Sequence, residues 1–120
     1  MKDRLDAIGI GLSSLCLIHC LLLPVLVIAV PSLVGSVLGS EWIHILLISA
    51  ALPISITAFW RGLRCHGCRR PGVLGALGLT LMAVAVLPWL PEATEIPLTV
   101  LGVGALASGH LANRRLRLRA

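Results

Sequence analysis

Acidic residues are scarce in this sequence: five Asp and Glu among 120 residues, against ten Lys and Arg. Aromatic residues are scarcer, with one Phe, three Trp and no Tyr. A soluble domain of this length needs a charged surface, and 12% charged residues are too few to make one, so the composition excludes that class. The glycine-rich signature of a phosphate-binding loop is missing, which argues against nucleotide-driven chemistry. There is no evident internal repeat or low-complexity tract. What is present is apolar: 58% hydrophobic residues and a mean hydropathy of +1.00, carried by Leu, Ile, Val and Ala, as suits helices that face lipid.

The few charges are grouped. Between them lie four uncharged stretches, Ala7 to Val30, Trp42 to Trp60, Pro71 to Pro91 and Ile96 to Asn113. At about 1.5 Å per residue even the shortest makes a helix of roughly 27 Å, close to the ~30 Å hydrocarbon core of a bilayer. Any one of them alone would pass for the core helix of a soluble protein. Four in succession, with almost no polar sequence left over, predict four spans in a single domain covering 1–120. Lys2 and Arg4 before the first run also suit a secretory signal. That run is longer than a typical signal core, no small-x-small cleavage site stands out, and three more spans follow, so it is read as a retained helix.

Every Lys and Arg falls in one of three segments: Lys2 and Arg4 before the first span, Arg61, Arg64, Arg69 and Arg70 between the second and third, and Arg114, Arg115, Arg117 and Arg119 after the fourth. With four spans these segments share one side, and the positive-inside rule makes that side cytosolic. The expectation is an all-α, integral-membrane, up-down four-helix bundle with both termini in the cytosol, multi-pass in the inner (plasma) membrane. The basic tail is read as a stop-transfer flank drawn to anionic headgroups, with no nucleic-acid partner implied. Small residues on the third and fourth spans (Gly72, Gly75, Ala76, Gly78; Gly102, Gly104, Ala105, Ser108) allow close helix approach, with Gly75 and Gly104 as one candidate pair. Pro24 and Pro53 are expected to kink their helices. Four short helices enclose little volume, so a homodimer is compatible with the sequence.

Four Cys and four His are the side chains of chemical note. Cys16, His19 and Cys20 sit inside the first span. Positions 16 and 20 are one helical turn apart, with Cβ atoms about 5–6 Å apart. Ser13, Gly9 and Asp6 extend their stripe toward the N-terminus, and a polar stripe on a membrane helix must face the bundle interior or a wet cavity. Counted from Ala7, Cys16 lies about 14 Å deep, near mid-bilayer. Thiolates select soft ions such as Cu(I), Zn(II) and heavier thiophilic metals, and two of them cancel the charge of a divalent ion, which lowers its cost in the membrane. Ordinary packing is the alternative for a single Cys; two with a His in the same turn favour ligation. A Cys16–Cys20 disulfide has poor geometry on a regular helix.

Cys65, His66 and Cys68 form a second cluster in the basic loop, spaced like half a zinc site or a dithiol transfer site; an incidental pair in a basic turn is the alternative. His110, three residues before Asn113, is a candidate for an inner coordination site or a proton path with Asp6. His44, beside Glu41 and Trp42, suits an outer ligand or an interfacial anchor equally.

The Asp3-Arg4-Leu5 start, the run Ser13-Ser14-Leu15-Cys16-Leu17-Ile18-His19-Cys20 continuing from Leu21 to Pro24, and the Gly109-His110-Leu111-Ala112-Asn113 end resemble the MerC-domain family, small four-span inner-membrane proteins associated with mercuric-ion uptake. The resemblance covers nearly the whole chain and is most specific around Cys16. It implies that a cysteine pair in the first span takes up Hg(II) and that a cytosolic pair passes it toward mercuric reductase. Cys16 and Cys20 match the first pair in location, with three residues between them where the better-known transporters have two. Cys65 and Cys68 are on the correct side for the second role, in the central loop rather than near the C-terminus.

Together these readings give a transporter, not an enzyme. Hg(II), or another thiophilic ion such as Zn(II) or Cu(I), binds Cys16, His19 and Cys20 and transfers by thiolate exchange to Cys65 and Cys68, with His66 and His110 as further ligands. Two rivals stand beside it. A membrane thiol oxidoreductase would need Cys near the outer face, and both outer loops lack it. A non-transporting metal sensor or structural zinc protein would bind without flux.

Overall fold

A computed structural model describes residues 4–29 and 41–120, leaving out the side chains at 17, 20, 21, 23–28, 41, 44 and 92. Nearly all of the described residues are helical, and they contain no strand. Four helices follow in order: α1 (Arg4–Ala29), α2 (Glu41–His66), α3 (Arg70–Ala85) and α4 (Glu92–Arg119). Two of them, α2 and α4, are long and apolar enough to cross a membrane by length and composition.

The helices α2 and α4 outrun their uncharged stretches. α2 continues through Pro53 and past Trp60 to His66, so Cys65 and His66 belong to its last turn and not to a loop. It ends in an αL cap: Gly67 has φ 69°, and its N–H donates to the Leu63 carbonyl at 2.8 Å. That conformation suits glycine, which has no Cβ to strain. Three residues later Arg70 and Pro71 open α3, with proline where the helix has no use for an N–H. The stretch Pro71 to Pro91 is helical only to Ala85; Leu87 precedes Pro88 and is turned away from helical geometry, and the chain makes two short turns to Pro91. Glu92 to Glu95, expected as a connection, is the first turn of α4. The basic tail is helical to Arg119.

Each helix turns a seam of small or polar residues inward at alternating three- and four-residue steps. The seams are Asp6, Gly9, Ser13 and Cys16 on α1, Ala51, Ser55, Ala58 and Gly62 on α2, and Pro71, Gly75, Gly78, Met82 and Ala85 on α3. That 3.5-residue period is the one that keeps antiparallel helices in register. α4 touches all three others, and its contact with α3 is the most extensive. There the backbones meet. A Cβ added to Gly78 would lie 2.5 Å from the Gly102 carbonyl oxygen, and one added to Gly109 would lie 2.9 Å from that of Pro71. The pairs 78–102 and 71–109 show α3 and α4 running antiparallel. Gly104, two residues and some 200° around the helix from Gly102, is exposed with open space where its Cβ would be, and Gly75 packs on Phe59. The expected Gly75–Gly104 pairing is therefore replaced by Gly78–Gly102.

Inside and outside are inverted relative to a soluble domain. Leu46, Ile56, Trp60, Val73, Leu101 and Trp89 are exposed, while Asp6, Ser13, Ser55, Thr99, His110 and Asn113 are buried. Exposed hydroxyls fold back on their own helices: Ser14, Ser49, Thr57 and Thr80 each donate to the carbonyl four residues earlier at 2.7–2.9 Å. Hydroxyls satisfied this way need no water.

Candidate functional site

Four of the buried polar residues, Asp6, Ser55, His110 and Asn113, form one network around the Asp6 carboxylate. Asn113 and Arg117 lie three and seven residues beyond His110, on one face of α4, and all three reach the Asp6 carboxylate. Asn113 Nδ2 donates to its two oxygens at 2.9 and 3.0 Å, Arg117 donates at 3.3 Å, and His110 Nδ1 lies 3.1 Å from Oδ1. A carboxylate only accepts, so the His110 proton sits on Nδ1. Nε2 is then 3.1 Å from the Ser55 hydroxyl of α2. Burial alone would raise the pKa of Asp6, which precedes the first uncharged stretch. The hydrogen bonds from His110 and Asn113, together with the positive charge of Arg117, outweigh it and hold the carboxyl below its ordinary value.

Glycine makes the room. A Cβ on Gly9 would run into the His110 ring, and one on Gly62 into the Asn113 amide. The His110 ring stacks on Phe59, with centroids 4.6 Å apart and an interplanar angle of 28°. Asn113 also donates to the Ala58 carbonyl at 3.1 Å, tying α2 to α4.

The network reaches the cysteine loop through His66. The backbone N–H of Cys68 donates to His66 Nδ1 at 3.0 Å, so the ring proton is on Nε2, which donates to Asn113 Oδ1 at 2.9 Å. This continuity places the start of α1, the α2–α3 turn and the end of α4 together, and gathers the basic segments at one end of the bundle.

Of the residues singled out in the sequence, Cys16 is buried at 2% exposure among Ala51, Met82, Val103 and Leu106. His19 is half-buried. The side chains of Cys20, Pro24 and His44 lie outside the described residues, so the Cys16–Cys20 pairing does too. Cys65 is exposed, Cys68 is half-buried, and neither is in a disulfide. His66 and His110, expected as metal ligands, have both ring nitrogens engaged within the network. Among the described residues no group of three or more His, Cys, Asp or Glu is placed to hold a metal ion.

Cys16 packs at the level of Ala51, fourteen residues before Cys65 on α2, so the two thiol sites are about 21 Å apart along the axis. Ser13, Ser55, His110, Asn113 and His66 occupy the interval. The Ser13 hydroxyl is buried and has no hydrogen-bond partner among the described residues. Cys68 itself borders two concavities. One is an apolar groove of about 560 Å³ between α2 and α3, and the other is a basic hollow of about 350 Å³ lined by Arg70, Arg115 and Arg119.

Sequence reasoning paired His110 with Asp6 and noted Asn113, but it missed Ser55 and assigned Arg117 to the exposed tail. The signal for Arg117 was its four-residue step from Asn113.

A family model described as MerC mercury resistance protein matches residues 6–115. No curated protein and no solved structure matches the chain significantly.

Proposed function

This chain belongs to the MerC mercury resistance protein family, and we propose that it carries mercuric ion across the inner membrane by exchange between thiolates. Family membership makes it a membrane protein of mercury resistance; the route is our reading. Four spans with both termini in the cytosol are supported by the apolar exterior, by the polar interior and by the gathering of the basic segments at one end.

The observation that carries the route is the inward seam of α1. Cys16 is buried on the same face as Ser13, whose hydroxyl has no partner among the described residues, and Asp6 closes that seam at the basic end. In this reading Hg(II) is substrate. It is taken by Cys16 and Cys20 as a neutral dithiolate, with His19 adjoining, and leaves to Cys65 and Cys68. Each exchange forms one Hg–S bond as another breaks, so no step needs ATP or a change of oxidation state. The thiols release protons when they bind metal, and loading therefore strengthens as pH rises. His66 and His110 hold the helices around the path rather than the ion. A cytosolic mercuric reductase would be the natural acceptor in this scheme.

Cells expressing Cys16→Ser should take up radioactive mercuric ion at least about tenfold more slowly than wild type, the equivalent of roughly 1.4 kcal/mol in ligand affinity. Uptake at the wild-type rate with equal protein in the membrane would overturn the route. Sidedness has a separate check. A membrane-impermeant maleimide should label Cys65 in inverted vesicles and leave it unlabelled in right-side-out ones; the reverse pattern would place the basic end outside.

A further inference from the structure

We propose that the basic hollow beside Cys68 binds a small anionic thiol, which takes the metal ion off the cysteine loop. The inference rests on the preceding reading of Cys68 as a metal donor and names the chemistry of a carrier between Cys68 and the reductase.

Three features converge on the hollow. Arg115 and Arg119 are one turn apart on α4, Arg70 is the first residue of α3, and all three line a space of about 350 Å³ floored by Pro71, Ala112 and Leu116. Arg117, between the two α4 arginines in sequence, turns inward and is neutralised by Asp6. No described acid performs that service for the other three: Asp6 is spent on the inner network, and Glu95 lies at the far end of α4. The N-terminus of α3 points its positive dipole end at the same place, with no acid in its first turn and no side-chain cap. The third feature is Cys68 itself, which also lines the hollow.

A ligand that answers all three carries at least one carboxylate, and preferably two, for the planar guanidinium forks, and a thiol that reaches Cys68. The volume lies at the lower end of small-ligand pockets, which suits a peptide of a few residues. A tripeptide thiol of the glutathione type has this chemistry, and cytosol is kept reducing by such thiols. Their exchange is balanced. The incoming sulfur, as thiolate, forms a bond to Hg(II) while the Cys68 S–Hg bond breaks. Cys68 then takes the proton that the incoming thiol gave up, and mercury remains Hg(II).

The test contains no metal. S-methylglutathione keeps both carboxylates and has no thiol, so bound in the hollow it shields Cys68. The full chain in a neutral-lipid nanodisc, carrying Cys65→Ser, is alkylated with N-ethylmaleimide, and modification of Cys68 is followed by mass spectrometry. At four times its Kd the ligand should slow alkylation about fivefold. The protection should fall in high salt and disappear in Arg115→Gln/Arg119→Gln, each protein being compared with its own unliganded rate. Absent protection, or protection untouched by the arginine substitutions, overturns the proposal. So does protection by phosphatidylglycerol in the nanodisc where S-methylglutathione gives none, which would make the hollow a lipid headgroup site. Failure here leaves mercury uptake through Cys16 standing, because no metal enters the measurement.

Discussion

Replacing Asp6 with alanine should destabilise the folded protein by about 3–5 kcal/mol, the cost of breaking a buried charge pair from one side. The carboxylate is fully buried and accepts from Asn113, Arg117 and His110 at once. Its removal strands three donors where water cannot replace it. Asp6→Asn should be milder, about 1–3 kcal/mol, because an amide oxygen still accepts from Asn113 while the charge facing Arg117 is lost. Reversible unfolding in mixed detergent micelles, or the midpoint of thermal unfolding, would measure both.

The same experiment has a pH arm. The Asp6 carboxyl is held below its ordinary value, so its contribution is fully present above about pH 3.9, the value in the unfolded chain, and is lost as pH falls through the lower folded value. The gap between wild type and Asp6→Asn should be constant near neutrality and close in acid. A stability of Asp6→Ala within about 0.5 kcal/mol of wild type would show that the network is ornamental to the fold.

Gly78→Ala should separate α3 from α4. The new Cβ would lie 2.5 Å from the Gly102 carbonyl oxygen and 2.6 Å from the Leu106 backbone nitrogen. Neither atom belongs to a flexible side chain, so a helix must move. We expect a loss of about 1–3 kcal/mol, with a larger loss for Gly78→Leu. Gly104→Ala is the matched control on the opposite face, where the Cβ meets nothing within 4 Å. Alanine there should be neutral or stabilising by up to about 1 kcal/mol, since glycine is the poorer helix former. Equal effects at the two positions would refute the Gly78–Gly102 contact as the hinge point of the α3–α4 packing.

What the sequence determined by itself was whatever depends on local composition. Long uncharged stretches make helices, because the backbone in an apolar setting satisfies itself most easily that way, and two of them, α2 and α4, are long and apolar enough to cross a bilayer. The grouping of all Lys and Arg in three segments was legible, and the Cys16 region carried the family. The inward seam Asp6–Gly9–Ser13–Cys16 was also readable, because helical periodicity orders residues around one axis.

Tertiary structure decided what depends on which faces meet. Periodicity gives each helix an angle around its own axis but not its rotation or height against a neighbour. Gly104 therefore looked as suitable as Gly102, and Arg117 looked like the rest of the tail. Assembly of α1, α2 and α4 made Asp6 the acceptor for three side chains of α4, drew Ser55 into the network and gave both nitrogens of His66 and His110 to hydrogen bonds. It also set Cys68 beside three arginines drawn from two helices. These are contacts between residues up to 111 positions apart, and no local pattern encodes them.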